Sequence, residues 1–434
     1  MEKSIVKNKD QFYSLRRVYQ GHRSNSGYNI TFKNLIIDFD FDLSLIDPRD
    51  SIVFDPNSKY PYTIEFKECD FLHNVTFLSK YNYHLKFDDC KFTGDKTKIT
   101  GNANSTKFRN CFIKNLDCED AIFGNDEDKN KGDFKLYTCE LHEVNFKNAT
   151  FHNIANFFRS TFYKPITFNR TKFLDTVVLS GATFKENVLF SYTVINKLML
   201  LRGTFPEKGF DISLAIIRGD LSLFNFKMND YNTYSKIYKD VSTAMKKYTG
   251  KNAYINAYEE VYEDAVSNQH LIPIENKRET YRILKHQLES QKNFIDAIPY
   301  KVKESRTHFK ESWQQLRNGV HFFNPISNLI VLSLNGISNW FGLSYIQGAL
   351  FTILIGGLFF TLGLSHIGDF QFTWDYSQWQ WQYFVQFLNP THRFDYMKAI
   401  DVNPRQWFFI WDFIGRIFVG YGIYQTIQAF RKYK

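Results

Sequence analysis

The 434-residue chain lacks the motifs of the common enzyme families. It contains no Gly-x-x-x-x-Gly-Lys-Ser/Thr loop, no Gly-x-Ser-x-Gly turn, no His-Glu-x-x-His pair and no Gly-x-Gly-x-x-Gly segment after a strand. We therefore expect no catalytic residue, no cofactor-binding residue and no metal ligand. The chain is interpreted as a protein that is not an enzyme and has no cofactor.

Cysteine is scarce, with five residues, and the Cys-x2-Cys spacing that zinc sites use is absent. Cys69, Cys90 and Cys111 are 21 residues apart, and so are Cys118 and Cys139. An odd number of cysteines in a cytoplasmic chain does not predict a disulfide framework. We interpret the five as buried structural thiols, repeated once per coil of a four-faced fold with 21 residues in each coil.

The amino-terminal segment MEKSIVKNKDQFYSLRRVYQ lacks the apolar run of a secretory signal. The bulk of the chain is therefore expected to begin in the cytoplasm. The net charge of +9 suits an anionic partner, either nucleic acid or the inner leaflet of a membrane. Between Pro61 and Asp230, 23 Lys and Arg accompany 21 Asp and Glu, so this segment has neither the acidic excess of a DNA mimic nor one basic stripe. Nucleic acid is not expected as a partner, whereas membrane lipid is.

Phenylalanine is abundant, at 45 residues, and in one segment it recurs with gaps that alternate between five and six. Helices give steps of three and four, and flat strands give steps of two, so neither fits. A coil with flat faces fits, with these residues as its core. The row consists of Phe146, Phe151, Phe157, Phe162, Phe168, Phe173, Leu179, Phe184, Phe190, Ile195 and Leu201.

Small residues stand two places before every second member of that row, at Ala149, Ser160, Thr171, Ala182 and Thr193, and Thr204 follows at the same step of 11 residues. The same spacing occurs earlier in interrupted form, and the segment GNDEDKNKG at 124–132 is predicted to be a charged loop inserted between coils.

The segments ECDF at 68–71, DCKF at 89–92, NATF at 148–151, RTKF at 170–173 and GATF at 181–184 resemble the repeats of the pentapeptide-repeat proteins. The resemblance covers about residues 62 to 226 and implies a right-handed, four-sided β-helix. We expect a cap region at 1–61, the β-solenoid at 62–229, a helical linker at 230–325 and a membrane domain at 326–434. Inside the cap region, the alternation in Leu35 to Leu45 predicts one strand.

Charged residues are absent from Asn318 to Gly368. Within this stretch, residues 345–364 are long and apolar enough to form a transmembrane helix, and residues 407–427 form the second predicted span. Lys and Arg are concentrated before the first span and after the second, so a multi-pass protein of the inner (cytoplasmic) membrane is expected, with both termini in the cytoplasm. The aromatic loop between the spans has the composition to dip back into the membrane.

The second predicted span contains Asp412 and Arg416, which lie on one helix face at i and i+4. Two interpretations are open. The pair lines or gates a conduction path, or its members neutralise each other where helices pack. Asn389, His392 and Arg393 in the loop between the spans are the other pore candidates.

The order of solenoid, helical linker and two-span tail also resembles membrane-anchored pentapeptide-repeat proteins with a channel-like tail. The potassium filter pattern Thr-Val-Gly-Tyr-Gly is missing here, so potassium selectivity is not implied.

Two functions are consistent with this sequence. In the first, the solenoid is a cytoplasmic sensor or assembly platform that controls a pore formed by homo-oligomerised tails, as in a stress or antiphage defence effector. In the second, the tail is only an anchor and the solenoid is a scaffold that binds an unidentified cytoplasmic protein.

Overall fold

A computed structural model of the protein describes residues 3–18, 22–24, 27–46, 62–77, 83–102, 104–125, 132–250, 252–319, 322–367, 381–393, 396 and 406–431. The chain divides into two compact units, residues 1–283 and 284–434. The domain boundaries expected from the sequence, after residues 61, 229 and 325, stay predictions.

The first unit is a β-solenoid in which short strands from successive coils pair in parallel along four sheets. One sheet contains Ser4–Val6, Leu35–Ile37, Phe41–Asp42, Asp70–Phe71, Val75–Phe77, Lys91–Phe92, Thr97–Ile99, Phe112–Asp117, Glu140–Asn145, Thr161–Phe162, Thr183–Phe184 and Phe205–Pro206. The second starts with His22–Ser24, which pairs antiparallel with Gly27–Lys33. It continues with Tyr62–Lys67, Tyr83–Asp88, Thr106–Arg109, Phe134–Tyr137, Ala155–Asn156, Val177–Val178, Leu198–Leu200 and Asp220–Ser222. The third contains Gly101–Asn102, Ile122–Phe123, Thr150–Phe151, Lys172–Phe173, Val194–Ile195 and Ile216–Ile217, and the fourth Ile166–Thr167, Val188–Leu189 and Phe210–Asp211.

The length of a coil can be measured from the pairing register. Lys91 pairs with Asp70 and with Phe112, which gives coils of 21 residues, and Thr150 pairs with Lys172, which gives 22. Phe112 pairs with Glu140, 28 residues further on, because extra residues lie between these coils. The predicted loop at 124–132 falls in this gap, and its residues 126–131 lie outside the described part of the chain.

This longer coil corrects one cysteine assignment. Cys139 lies beside Cys111 in the pairing register, whereas Cys118 donates its backbone N–H to Asn145 on another face. The prediction that Cys118 and Cys139 are one coil apart is therefore wrong, because the insertion shifts the spacing.

The interior is built from columns of stacked phenyl rings. Phe168 stacks on Phe146 and Phe190, with ring centroids 5.6 and 4.8 Å apart, and Phe151 stacks on Phe173 at 5.1 Å. A step of 22 residues returns the chain to the same face one strand spacing away, so each ring meets its counterpart in the next coil. All nine predicted core residues are at most 1% exposed: Phe146, Phe151, Phe157, Phe162, Phe168, Phe173, Leu179, Phe184 and Phe190.

The small residues form a second buried column and satisfy backbone groups. The hydroxyls of Ser160 and Thr171 donate to the carbonyls of Leu136 and Phe146 in the preceding coil, both at 2.8 Å. Cys90 and Cys111 bond the corresponding carbonyls of Phe66 and Phe87 through their thiols. A small side chain with one donor therefore suits this position, because it fits beside the rings and binds a carbonyl inside the coil.

One corner of the solenoid repeats a left-handed backbone conformation in coil after coil. Asp89 and Asn110 have φ of 55° and 53°, and the Asn110 amide donates to the Asp89 carboxylate at 3.1 Å. In later coils the corner is occupied by Gly181, with φ of 69°, a value that glycine adopts without steric cost. The positions with positive φ in this column are Asn34, Glu68, Asp89, Asn110, Thr138, Arg159, Gly181, Gly203 and Asn225.

The first coil contains the predicted cap strand, but the chain turns inside it. Leu35–Ile37 pairs with Asp70–Phe71, and Phe41–Asp42 pairs with Val75–Phe77 on the next face. One continuous strand from Leu35 to Leu45 is therefore wrong, because residues 38–40 form a corner of the solenoid. Helix α1, Lys9–Val18, covers this coil with Phe12, whose ring lies 5.1 Å from Phe32 and 5.2 Å from Phe41.

Helices close the other end of the solenoid: α2 at Ile237–Ala244, α3 at Ala253–Glu263 and α4 at Ile274–Ser290. In α4, the buried Lys277 ammonium binds Asp230 and the carbonyl of Tyr231, and it lies 4.4 Å from the Tyr231 ring centroid. The helix starts at Ile274, so Asn276 lies in its first turn, and the Asn276 side-chain amide donates to the buried Asp211 carboxylate at 2.8 Å.

The second unit is helical. Its described helices are the end of α4, α5 at Phe294–Arg317, α6 at Phe323–Asn339, α7 at Tyr345–Leu364, α8 at Trp381–Phe387 and α9 at Gln406–Arg431. The Ser344 hydroxyl caps α7 by accepting the Gln347 N–H at 3.1 Å, which fixes the start of the helix at Tyr345. The bounds of α7 coincide with the first predicted span, and α9 contains the second.

Candidate functional site

Helices α7 and α9 pack antiparallel over their whole length. Tyr345 at the start of α7 stacks on Phe430 at the end of α9, with centroids 4.5 Å apart, whereas Gly363 at the end of α7 lies beside Phe408. Small residues make this close approach possible. A Cβ at Gly348 would lie 2.6 Å from Thr426 Oγ1, and one at Gly422 would lie 2.3 Å from Thr352 Oγ1.

The outward faces of both helices are apolar. On α7 the exposed side chains include Leu354, at 71%, and on α9 they include Phe413 and Ile417, at 57% and 56%. Further exposed apolar residues follow at helical spacing: Ile346, Leu350, Ile353 and Leu358 on α7, and Trp407, Ile410, Tyr424, Ile427 and Phe430 on α9. A helix pair with such an outer surface is suited to an apolar solvent rather than to water.

Helix α8 and the loop after it pack against the middle of this helix pair. Phe387, at the end of α8, is 1% exposed and lies against Gly415, where a Cβ would approach its ring to 2.4 Å. Leu388 packs on Gly356 of α7, and Pro390 lies 3.8 Å from the Cβ position of Gly420. Gly356 is eight residues before the end of α7, so the loop contacts this helix about 12 Å from its end.

Three predicted site residues meet in one buried cluster beside this loop. The Asp412 carboxylate, 1% exposed, accepts from Arg416 Nε at 2.8 Å through Oδ2, and its Oδ1 lies 2.9 Å from His392 Nε2. Arg416 Nη1 donates to the His392 carbonyl at 2.8 Å, and His392 Nδ1 lies 2.7 Å from the Asn389 carbonyl. The helix α9 pair predicted from i and i+4 spacing is thus present, with His392 as a third member.

The other two predicted residues play different parts in the loop. Asn389 Oδ1 accepts from the backbone N–H of Thr391 at 3.1 Å and from its hydroxyl at 2.8 Å, so this side chain shapes the turn. Arg393 is exposed, in contrast to the buried His392. The structure therefore places Asn389 and His392 in contact with each other and leaves Arg393 at the surface of the loop.

Residues 139–194 match the family model described as pentapeptide repeats (9 copies). No curated protein and no solved structure matches the chain. The matched segment lies inside the parallel sheets. The architecture is a β-solenoid with pentapeptide repeats, followed by a helical C-terminal region.

Among the described residues, one helix is long and apolar enough to cross a membrane by its length and composition, namely α7. Only a third of its most apolar 18 residues is buried, whereas a core helix of similar length and composition in a soluble protein is mostly buried. Helix α9 is less apolar, because Asp412, Arg416 and several amide side chains lower its average hydropathy. The second span stays a prediction.

Sequence reasoning missed a polar cluster between α6 and α9. Asn335 Oδ1 accepts from the Tyr421 hydroxyl at 2.8 Å and from Gln425 Nε2 at 3.1 Å, and the Asn339 amide donates to the Gln425 carbonyl. These polar residues are visible in the sequence inside two apolar segments. Their partners are 86 or more residues away, however, so the sequence pattern does not pair them. Tyr396 was also missed, although its ring lies 4.5 Å from that of His392.

Proposed function

We propose that the chain is a multi-pass protein of the cytoplasmic membrane, not an enzyme, in which the solenoid serves as a sensor or assembly platform for an oligomeric pore. In this proposal α7 and α9 are the two spans, both termini are cytoplasmic, and α8 with its loop re-enters the membrane from outside. A role as a stress or antiphage defence effector would follow from opening such a pore on a cytoplasmic signal.

The observation that carries the proposal is the loop 388–393 packed against the middle of the helix pair. Non-helical backbone at membrane depth is tolerated only where protein buries it or where it lines a water-filled cavity. Ion-selectivity filters place backbone carbonyls beside the conduction path, and a loop held at this depth is suited to that role. A tail that serves only as an anchor does not require such a segment.

The outer faces of α7 and α9 support membrane insertion, because their exposed side chains are apolar at helical spacing. The ion pair favours the same placement, since the Asp412 and Arg416 side chains are 1% and 14% exposed and contact each other. One protomer provides two spans and one loop, so a pore requires several copies around an axis.

Planar-bilayer conductance of the purified full-length protein tests the proposal, with Asp412→Asn and Arg416→Gln measured alongside. We expect discrete currents from the wild-type oligomer and altered currents from both variants, since each disturbs the cluster that holds the loop. Absence of current in every oligomeric state, with variants that still insert normally, would contradict the pore.

The alternative is a membrane-tethered scaffold, in which the spans are only an anchor. The specific observation in its favour is that the Asp412 carboxylate contacts both His392 and Arg416 within one chain, so the cluster also serves to hold α9 to the loop. Normal recruitment of a cytoplasmic protein by a chain whose tail is replaced with an unrelated two-span anchor would support this alternative.

A further inference from the structure

Helix α5 presents basic and aromatic side chains along one side. Arg306, Lys310, Trp313 and Arg317 follow one another at steps of four, three and four residues, so they share one side of the helix. All four are exposed, and Trp313 is 56% exposed. They extend for about 16 Å along the helix axis. We call these four residues the basic face of α5.

The carboxylates of α5 lie away from this face. Glu304 accepts from the Lys285 ammonium at 2.8 Å, and Glu311 is 4% exposed. Asp296, in the first turn, accepts from the Asn293 side-chain amide at 2.7 Å. The structure describes every residue of this helix, so its order of charges is complete. The basic face therefore presents three cations in succession with no acidic side chain of α5 among them.

The cations of α5 also reach the connection that leads into α7. The Arg306 guanidinium lies 5.8 Å from the ring centroid of Trp340, the residue at which α6 ends. Lys301 Nζ lies 3.6 Å from the Cβ position of Gly342, three residues before α7 begins at Tyr345. If α7 is a span, this connection lies where a chain enters the bilayer, at the depth of the lipid headgroups.

Helix α6 adds an exposed apolar surface beside these cations. Phe323, Ile330 and Ile337 are seven residues apart, so they lie on one side of the helix, and they are 83%, 56% and 62% exposed. Trp340, which contacts Arg306, joins this side to the basic face. Cations next to exposed aromatic and aliphatic side chains are typical of a helix surface that lies on an acidic leaflet. A nucleic acid would satisfy the cations but leave the apolar side chains in water.

We propose that the basic face of α5 binds the headgroups of acidic phospholipids, such as phosphatidylglycerol, in the cytoplasmic leaflet. Arg306 and Lys310 are one turn apart, so one headgroup phosphate can contact both, while Trp313 and Trp340 lie at the boundary with the acyl chains. The inference rests on the proposed function for the placement of α7 in the membrane, and it adds the class of lipid.

The test is lipid binding by the full-length protein in a neutral detergent, measured by native mass spectrometry. We expect dioleoylphosphatidylglycerol to bind more tightly than dioleoylphosphatidylcholine. The double variant Arg306→Gln with Lys310→Gln should weaken phosphatidylglycerol binding on the order of 25-fold, about fivefold for each cation, and leave phosphatidylcholine binding unchanged. Arg306→Lys keeps the charge and should keep the preference. Arg170→Gln with Lys172→Gln is the matched control, because it removes two exposed cations from the solenoid and should change neither affinity.

A second measurement needs no variant. Raising the salt concentration from about 0.1 to 1 M shortens the Debye length from about 10 to 3 Å, so it should weaken phosphatidylglycerol binding by the unmodified protein. Equal affinity for the two lipids, or an unchanged phosphatidylglycerol affinity in the double variant, overturns the inference. A change of oligomeric state in the double variant without any lipid preference assigns the face to a contact between copies and also overturns it, as does preferential binding of duplex DNA.

Conductance separates this inference from the proposed function. Current in bilayers of neutral lipid from a protein without a phosphatidylglycerol preference overturns the inference and leaves the pore standing. A phosphatidylglycerol preference in a protein that gives no current in any oligomeric state supports the lipid-binding face and contradicts the pore.

Discussion

At the scale of single residues, the thiols show how burial decides chemistry. All five cysteines are at most 1% exposed and unbridged. Burial raises the pKa of the Cys111 and Cys118 thiols well above the ordinary value, so the reactive thiolate is scarce at neutral pH. These residues fill space and have no exposed sulfur for metals or oxidants. The thiols of Cys69, Cys90, Cys111 and Cys139 also bind backbone carbonyls.

We therefore predict that the native protein resists alkylation. Treatment with iodoacetamide at pH 8 followed by mass spectrometry should find all five cysteines unmodified in the folded chain and all five modified in guanidinium chloride. Rapid labelling of Cys69 or Cys111 under native conditions would contradict the buried column.

The phenyl columns give a second prediction at this scale. Phe168→Ala leaves a gap between Phe146 and Phe190 and should cost about 3 to 5 kcal/mol of unfolding free energy. Phe158→Ala is the control, since Phe158 belongs to the same segment but is 37% exposed, and it should cost far less. Denaturant unfolding of the full-length protein in detergent measures both. Equal losses would indicate that the rings are not packed as columns.

The residue scale also shows what sequence patterns can predict. The alternation of five and six follows from strand and corner geometry, so the interior row was visible without a structure. The contact between His392 and Asp412 was not visible, because these residues are 20 apart and only the packing of the loop onto α9 brings them together. Asp412 and Arg416 were predictable as a pair, because helix geometry alone places i and i+4 on one face.

At the scale of elements, the π-helical turn Asp264–Asn268 and the residues after it hold a histidine against a solenoid face. His270 Nδ1 lies 2.8 Å from the Thr167 hydroxyl, and the His270 backbone carbonyl accepts from the Asn187 side-chain amide. Burial lowers the pKa of His270, because desolvation disfavours the imidazolium.

This lowered pKa predicts that the segment loosens in acid. The ordinary pKa of histidine is about 6.5, and it applies to His270 when the segment is undocked. Below that pH the undocked segment binds a proton more readily than the docked one. The contribution of His270 to docking is therefore fully present above about pH 6.5 and weakens as the pH falls. Hydrogen exchange of residues 264–272 should therefore accelerate between pH 7.5 and 5.5, after correction for intrinsic rates. His270→Gln should remove this pH dependence.

A further prediction at this scale concerns the loop after α8. Gly415→Ala places a methyl group 2.4 Å from the Phe387 ring and 2.9 Å from Phe359 Cβ, so the loop or α9 must shift, at a cost of about 1 to 3 kcal/mol. Gly420→Ala is the matched control on the same helix, with its nearest neighbour at 3.8 Å. Thermal unfolding in detergent should show a lowered midpoint for Gly415→Ala alone.

At the scale of the whole molecule, the number of spans decides on which side of the membrane the carboxyl terminus lies. A single span at α7 would put the amino and carboxyl termini on opposite sides of the membrane, whereas two spans would put them on the same side. Hydropathy alone does not decide this, because the buried cluster makes α9 more polar than α7.

We predict that green fluorescent protein fused to either terminus will be fluorescent in bacterial cells, since it folds in the cytoplasm and not after export through the general secretory route. Alkaline phosphatase inserted between α7 and α8 should be active, since it needs the oxidising exterior. Fluorescence from the amino-terminal fusion alone would indicate one span and would contradict the proposed pore.

The helices at the two ends of the solenoid have a consequence for assembly. A bare terminal coil would offer unpaired backbone groups to the first coil of another copy, and a stack of chains would grow without limit. Phe12 of α1 and Lys277 of α4 lie over those coils instead. Fibre growth along the solenoid axis is thereby blocked. For the oligomer of the proposed function, this leaves the lateral faces of the solenoid and the helical tails as the surfaces through which copies would associate.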